Sequence, residues 1–480
     1  MTEKKNAYLT VYVCLMLTVL LSVYLLLIEE ARYNGACLEA LCAAEAGMQS
    51  IQAEYHRELA DRYGIYAIDS SYGAETCGRN RTEAHLMRYV EKNLNAEDVF
   101  LSGWFYRDFF SLHPYDAELS GVCILTDREG AEFRRQAIET VKSDVGWDVF
   151  RILQQRLQVI KVNGLDTTDI TAQREQLEET LKEYGVVEGA VSETKQTDSF
   201  AEKVADGLWQ KPGKGVLALV TDEQADLSAK HLELTGLYSD RKEQGILSTG
   251  NLAAQDSEGI FERFLFREYI VRSFGNYLHG KEDGALSYQT EFVIAGKDSD
   301  IANLKSVVNR IFLIRGAANT LYLITNEEKK AQAEAAASLV ALLCKQPKAK
   351  GAIQALIVNI WSSAESIYDV KTLLQGGEVP LLKDDDSWHY SLEQVFGGGG
   401  EQEEDANGLS YEDYLRILLM FEGNEKVTDR TMDMVEAEIR LTPRNSFFRL
   451  DACYGAFEAQ VRMRDYKDIE YEVVRQKQYR

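Results

Sequence analysis

An unbroken apolar run near the start of the chain constrains its fold more than any other feature. Residues 7–28, AYLTVYVCLMLTVLLSVYLLLI, contain no charged side chain. At about 1.5 Å per residue, a helix of this length reaches about 33 Å, which is enough to cross the hydrocarbon core of a bilayer. Tyr8, Tyr12 and Tyr24 lie toward its ends, where aromatic rings favour the membrane interface. We therefore predict a transmembrane helix over residues 7–28.

The charges that flank this run predict its orientation. Lys4 and Lys5 precede it, whereas Glu29 and Glu30 follow it, and Arg32 weakens the asymmetry slightly. Positive charge is retained on the cytoplasmic side of a membrane. Residues 1–6 are therefore predicted to be a cytoplasmic stub of a single-pass protein of the cell membrane, with the main domain extracytoplasmic. The alternative is the reverse topology, with the domain in the cytoplasm.

A cleaved signal peptide is a poor explanation for the same run. The apolar region of a signal peptide is about 7–15 residues long and ends in a small-residue cleavage site. Here the run is longer and ends in IEEAR, and the first A-x-A pattern, Ala44-Glu45-Ala46, lies far downstream. We therefore expect the segment to remain as an anchor.

An apolar stripe continues beyond the charged residues, with spacings of three and four. Gly35 and Gly47 interrupt it at a tolerable cost of about 1 kcal/mol each. This pattern predicts one continuous helix whose amphipathic second half, residues 29–62, packs on a globular body. The simpler alternative is a plain anchor with a juxtamembrane stalk. The stripe consists of Cys37, Leu41, Ala44, Met48, Ile51, Tyr55 and Leu59.

This layout resembles that of type IV pilins and pseudopilins. The acid-x-x-R step from Glu29 to Arg32, followed by GACLEALCAAEAGM, resembles the TadE/TadG group, which are pilin-like accessory proteins of Tad (Flp-type) pili. The start of the chain, through YAIDSSYG, also resembles an uncharacterised family of Gram-positive membrane-anchored proteins associated with such pilus genes. The resemblance covers roughly the first 75 residues. It implies a structural or accessory component of a Tad-type pilus or secretion apparatus, with the bilayer and other subunits as partners.

The sequence departs from these families at two places. A prepilin has Gly before its cleavage site and Glu at the fifth mature position, whereas Asn6 and Val11 stand there in this chain. The resemblance therefore does not predict processing by a prepilin peptidase. TadG-type proteins can carry a von Willebrand A domain with a D-x-S-x-S metal motif. The nearest match begins at Asp69 but has Gly73 in place of the second serine, so we predict no metal site there.

Glu29, Glu30 and Arg32 are the candidate site residues at the membrane edge. In one interpretation they mark the exit from the bilayer and set the topology. In the other, Glu29 and Arg32 form an ion pair at i,i+3 spacing that is available to a neighbouring helix of a pilus or secretion complex.

The remaining chain, residues 63–480, is predicted to be a helix-rich α+β region whose sheet is assembled from distant strands. Ser410 and Asp413 form a capping-box pattern at the start of a helix. We also predict a possible helical arm over residues 130–185, a linker over 186–214 and a flexible acidic loop over 396–408. The predicted strands are residues 64–69, 120–127, 215–222 and 286–294, and a closing hairpin formed by 457–463 and 469–473.

Composition and motifs favour a structural protein over an enzyme. The formal net charge of −24 argues against nucleic-acid binding, which needs a basic face. Cysteines at 37, 42, 77, 123, 344 and 453 have no CxxC spacing, and the sequence leaves their disulfide state open. No HExxH, GxSxG, P-loop or GxGxxG motif is present. We therefore predict no catalytic, cofactor or metal site, and the alternative is a membrane-tethered enzyme or ligand sensor of the cell envelope.

Overall fold

The computed structural model describes residues 2–94, 110–186, 199–209, 215–221, 227–253, 259–397 and 408–479. The chain divides into two compact units. The first unit comprises Met1–Ala137, Arg241–Ser257 and Ile439–Arg480, and the second comprises Ile138–Asp240 and Glu258–Glu438.

Helices dominate the described residues. In chain order they are α1 (Thr2–Gln52), α2 (Arg57–Tyr63), α3 (Arg79–Leu94), α4 (Asp127–Lys142), α5 (Trp147–Val162), α6 (Ile170–Glu183), α7 (Ser199–Gly207), α8 (Val216–Val220), α9 (Tyr238–Glu243), α10 (Ile260–Ser273), α11 (Gln289–Ala295), α12 (Asp300–Thr325), α13 (Glu327–Leu343), α14 (Lys350–Leu374), α15 (Leu392–Gly397), α16 (Tyr411–Phe421) and α17 (Asn424–Arg440). The strands are β1 (Ile68–Asp69), β2 (His113–Ile124), β3 (Cys453–Arg464) and β4 (Glu470–Gln478).

The first helix has two different halves. Every residue from 8 to 31 is exposed, and the large apolar side chains are exposed on all sides of the helix, with Leu20 61% and Leu26 69% exposed. From Ala36 onward one face of the same helix is buried. The segment Tyr8–Gln52 is long and apolar enough to cross a membrane.

The predicted end of this helix was wrong, because α1 stops at Gln52 and not at Arg62. His56 adopts an extended conformation, and its Nδ1 accepts a hydrogen bond from the Leu59 backbone N–H, which caps the separate helix α2. The His56 backbone N–H donates to the Ala67 carbonyl. The chain therefore breaks at residues 53–56 because it turns back toward β1.

A small antiparallel sheet is the centre of the first unit. Strand β3 pairs with β2 on one side, for example Val122↔Phe457, and with β1 and β4 on the other, for example Val461↔Val473. Helix α1 packs against β4 and β3, and α3 packs against α1 and β2. The residues of β3 that alternate toward this helix-covered core are Phe457, Ala459, Val461 and Met463, and the closing hairpin is thus as predicted.

The described part of the second unit is helical. Helix α14 packs against α12, α13 and α6, around a core that includes Ile353, Leu356, Ile357 and Trp361. The capping box predicted for α16 is present, because Ser410 and Asp413 exchange side-chain and backbone hydrogen bonds. Together the two units form a helix-rich α+β protein with a long apolar N-terminal helix and a small antiparallel sheet.

Two predicted strands in the second unit were wrong. Residues 286–294 contain the start of helix α11, and residues 215–222 contain α8. Apolar and polar side chains alternate over 286–294, but all residues from Leu286 to Ile294 are buried, so the alternation does not separate a buried face from an exposed one. Residues 215–222 form a short, mostly apolar run, and such runs occur both in strands and in buried helices.

The structure describes only parts of the predicted helical arm, linker and acidic loop. Residues 130–185 contain most of α4 together with α5 and α6, and α6 packs against α12 and α14, which is not the arrangement of a free arm. The predicted linker 186–214 contains α7, while its residues 187–198 and 210–214 lie outside the described residues. The acidic loop 396–408 lies largely outside them as well.

Candidate functional site

Helix α1 meets the turn of the closing hairpin where its exposed apolar half ends. We call this contact the exit junction, and define it as Glu29, Arg32 and Tyr33 of α1 with residues 465–471 of the hairpin. Two of the three candidate residues, Glu29 and Arg32, contact the hairpin of the first unit here.

Asp465 organises the hairpin side of the exit junction. Its Oδ1 accepts hydrogen bonds from the backbone N–H groups of Lys467, at 2.8 Å, and Ile469, at 3.0 Å. Asp468 completes the turn in the left-handed region, at φ 57°. Because Asp465 is buried and satisfies two backbone donors, it holds the turn in one conformation before any contact with α1 is considered.

The helix side of the exit junction pairs with this turn. Glu29 Oε1 lies 2.5 Å from Lys467 Nζ, and Arg32 Nη2 lies 3.8 Å from Asp465 Oδ2. The Arg32 guanidinium also lies over the Tyr466 ring, 3.8 Å from its centroid, a favourable cation–π geometry. Tyr33 and Tyr471 bring their ring centroids within 5.7 Å. The junction therefore combines two ion pairs with aromatic contacts.

This geometry differs from the predicted ion pair between Glu29 and Arg32. Each of the two residues pairs with the hairpin and not with the other. Glu30 is exposed, and its carboxylate accepts a hydrogen bond from the Asn34 side chain at 3.4 Å. Among the three candidate residues, Glu30 is thus the one whose charge is directed away from the hairpin contacts.

The predicted stripe lies largely against the sheet. Ala44, Met48 and Ile51 are buried in the core of the first unit, and Cys37 and Leu41 pack at its edge. Tyr55 and Leu59 follow the end of α1. The Tyr55 ring packs edge-on against Tyr66 at 5.2 Å, and Leu59 is buried in α2. The structure therefore brings the first five together on one helix face and places the last two on the connection to β1.

Sequence reasoning missed the small residues that bring α1 close to its neighbours. Ala36, Ala40 and Ala43 are buried beside the stripe. A Cβ atom on Gly47 would lie 2.7 Å from Val90 Cγ2 of α3. Gly47 therefore permits close helix packing and is not merely tolerated. The repeated spacing of small residues from 36 to 47 was the signal that could have indicated it.

Farther along, α1 is also tied to the end of the chain. Lys477 forms an ion pair with Glu45, and the Tyr479 hydroxyl donates to the Gln52 carbonyl at 2.6 Å. These contacts and the exit junction lie at opposite ends of the packed half of α1. That half is therefore attached along its length to the hairpin.

A cluster of polar side chains around the Glu54 carboxylate lies just beyond α1. Glu54 accepts hydrogen bonds from the Tyr89 hydroxyl at 2.7 Å, the Tyr72 hydroxyl at 2.9 Å and His85 Nδ1 at 2.9 Å. Partial burial alone would raise the pKa of Glu54, but the hydrogen bonds from His85, Tyr89 and Tyr72 outweigh it and lower that pKa. The cluster joins the end of α1 to α3. We interpret it as a structural anchor because its donors are directed at Glu54 itself.

The second unit contains a buried ion network that the sequence did not indicate. Arg315 of α12 donates to Asp369 of α14 at 2.9 Å, and Lys383 Nζ lies 2.7 Å from Asp369 Oδ1. Lys383 also pairs with Glu365, which accepts the backbone N–H groups of His389 and Tyr390 at 3.0 Å each. Two cations and two carboxylates thus neutralise each other, which is the condition for placing charges in a protein interior.

Most of the charged side chains of the segment 383–390 are engaged in contacts within the protein. Its Lys383 and His389 face the network, whereas Asp384 bonds Ser387, and Asp385 accepts from the Tyr322 hydroxyl at 2.5 Å. In the part of the chain that the structure describes, no group of three or more His, Cys, Asp or Glu side chains is arranged to hold a metal ion.

Comparison with known proteins assigns part of this chain to a protein family. Residues 192–465 match a family described as a family of unknown function (DUF5702). The match covers more than half of the chain and begins well after α1. No curated protein and no solved structure matches the chain.

Proposed function

The chain belongs to this family of unknown function, and we propose from its own residues that it is a single-pass, membrane-anchored accessory component of a Tad-type pilus or secretion apparatus. Its role is structural and not enzymatic. The N-terminus is cytoplasmic, and the main domain lies outside, where it presents a surface for protein binding. Assembly takes place through α1 within the bilayer.

One observation carries this proposal: the two halves of α1 have opposite surroundings. The apolar residues from 8 to 28 are exposed on every face, whereas from Ala36 onward one face of the helix is buried against the sheet and α3. Exposing so much apolar surface to water is unfavourable, at about 25 cal/mol per Å². A bilayer removes that cost. A helix that projects from a sheet in this way is the layout that pilin-like subunits use.

The exit junction supplies a mechanism for coupling the two halves. The pairs of Glu29 with Lys467 and of Arg32 with Asp465 attach the hairpin to α1 next to the last apolar turn. A movement of the membrane helix is thereby transmitted to the sheet of the first unit. Glu30 lies on the same turn and is exposed, so it is the residue we assign to contacts with a neighbouring helix that carries a Lys or Arg.

Crosslinking in native membranes, followed by affinity purification of the tagged full chain, tests the assembly role. We expect Tad ATPase, platform or pilin subunits to be recovered with it, and fewer of them from Glu30→Gln than from the unchanged chain. Glu58→Gln is the matched control, since it removes an exposed carboxylate of α2 that pairs with Arg62 and lies outside the exit junction. Recovery of the protein alone, or with unrelated envelope proteins, would contradict the assembly role.

A further inference from the structure

A groove in the second unit has the features of a protein-docking site. It has a volume of about 730 Å³ and lies between α5, α10 and the end of α16. We call it the basic groove. The lining residues that carry the argument are Arg151, Lys161, Val162, Ile260, Arg263 and Phe421.

The wall formed by α5 is a single helix face. Arg151, Gln154, Gln158 and Lys161 recur at spacings of three and four along this wall, which places them on one side of the helix. From Arg151 to Val162 the wall extends about 16 Å, or three helical turns. The groove therefore has the length of a short helical segment, whereas a single metabolite would occupy only part of it.

The groove and its rim expose large apolar side chains. Val162 is 77% exposed and Ile260 is 61% exposed. At the start of α5, Trp147 is 66% exposed, and its ring stacks on Phe261 with centroids 4.0 Å apart and planes 8° apart. Exposed apolar side chains that line one groove, as Val162 and Ile260 do, mark interaction sites. An aromatic ring that is already held in place loses little conformational freedom on binding.

The charge of the groove is opposite to that of the chain. Its lining includes Arg151, Lys161 and Arg263 and no acidic side chain from the described residues, although the chain has a formal net charge of −24. Within the same described residues, the buried Nε of Arg263 has no hydrogen-bond partner. Arg151 pairs with Asp148 only at the exposed surface, at 3.1 Å. These cations favour a partner that carries carboxylates.

Ion pairs hold the helices around the groove in place. Arg156 of α5 lies 3.2 Å from Asp413 of α16, and Arg416 of α16 donates to Glu268 of α10 at 2.8 Å. Burial would raise the pKa of Glu268, but Arg416 and Arg272 outweigh it, and the pKa is lowered. The carboxylate therefore stays charged, and the three helices are joined before a partner arrives.

We infer that the basic groove binds an amphipathic helix of another protein, with apolar side chains in the groove and carboxylates toward Lys161 and Arg263. This inference rests on the proposed function, since it names the surface and the partner chemistry of the protein-binding domain. The chain's own acidic loop is a weaker occupant, because GGGEQEEDAN at residues 398–407 has carboxylates but no large apolar side chain.

The test uses the full chain in nanodiscs of zwitterionic lipid and two fluorescent helical peptides of about 14 residues. Both carry the same leucine face, with flanking glutamates in one and flanking lysines in the other. We expect the glutamate peptide to bind at least tenfold more tightly in fluorescence anisotropy, with the difference reduced at about 0.5 M salt.

The variant Lys161→Glu/Arg263→Glu should reverse this preference, and Val162→Ser, which removes apolar surface without adding charge, should weaken both peptides. Gln154→Glu is the control: it adds a carboxylate to the same wall but keeps both cations, so it should reduce the preference without reversing it. Circular dichroism checks that each variant folds. Equal binding of the two peptides, or an unchanged preference in the double variant, would overturn the inference. Binding of anionic vesicles without binding of the glutamate peptide would also overturn it. Because the assay contains no pilus component, its failure is distinct from failure of the co-purification experiment.

Discussion

At the scale of single residues, the buried ion network makes the second unit sensitive to substitution. Arg315, Asp369 and the Lys383 side chain are fully buried, and removing one partner leaves an uncompensated charge in the interior. We expect Asp369→Ala to lower the free energy of unfolding by about 3–5 kcal/mol, measured by denaturant titration of the full chain in detergent with tryptophan fluorescence.

Glu334→Gln provides the comparison for that variant. It removes an exposed ion pair with Lys350 in the same unit, and exposed pairs contribute about 0–1 kcal/mol. If Asp369→Ala and Glu334→Gln changed the stability equally, the network would not be the structural centre that its burial indicates.

The pH dependence of stability is also set by individual residues. Burial raises the pKa of Glu291 to about 7, although hydrogen bonds from the Tyr277 backbone N–H and the Tyr411 hydroxyl, at 2.8 Å each, oppose it. Burial raises the pKa of Asp433 to about 6. A carboxyl whose pKa is raised in the folded state stabilises the protein fully below its ordinary pKa, and this contribution is lost as the pH rises through the folded-state value.

We therefore expect the free energy of unfolding to fall by about 4 kcal/mol between about pH 5 and pH 8, with the larger share from Glu291. Denaturant titrations across this range measure it. Glu291→Gln should flatten most of the change, because an amide does not ionise. A stability that rises over the same range in the unchanged chain would show that Glu291 is not buried as a protonated acid.

At the scale of secondary-structure elements, the packing of α1 against α3 depends on Gly47. A Cβ atom at this position would meet Val90 Cγ2 at 2.7 Å, so a larger side chain forces the helices apart. We expect Gly47→Val to lower the free energy of unfolding of the first unit by about 1–3 kcal/mol, with circular dichroism of the full chain in detergent as the measurement.

Gln49→Val is the matched control for this prediction. Residue 49 is exposed on the same helix, so the control places the same β-branched side chain on α1 without the clash. Equal losses from the two variants would mean that helix propensity, and not close packing, explains the effect of Gly47→Val.

The elements that depend on residues close in sequence were predicted correctly, whereas those that depend on tertiary packing were not. The capping box at Ser410 and Asp413 and the closing hairpin were predictable because each depends on residues close in sequence. Helix α11 was not predicted, because both its polar and its apolar side chains are buried and the sequence therefore shows no helical periodicity. Its one local signal is Gly296, which ends the helix at φ 64°. The exit junction could not be predicted either, since Glu29 and Lys467 are joined only by the register between α1 and the hairpin.

At the scale of the whole molecule, the central claim is that α1 crosses a membrane and leaves the rest of the chain outside. Lys4 and Lys5 before the apolar run, and Glu29 and Glu30 after it, predict this orientation. The exposed apolar half of α1 and the packing of its other half on the hairpin support a membrane crossing, whichever side the rest of the chain lies on. Neither feature depends on the identity of a partner.

The most direct test is the labelling of cysteines in intact cells with a membrane-impermeant maleimide. In a Cys42→Ser background, Cys77, which is exposed in the first unit, serves as the outer reporter, and the further change Cys77→Ser is its control. A Thr2→Cys variant, in a background with Cys42→Ser and Cys77→Ser, serves as the inner reporter. We expect Cys77 to be labelled without permeabilisation and position 2 to be labelled only after it. The reverse pattern, or release of the protein from membranes by alkaline carbonate, would contradict the account.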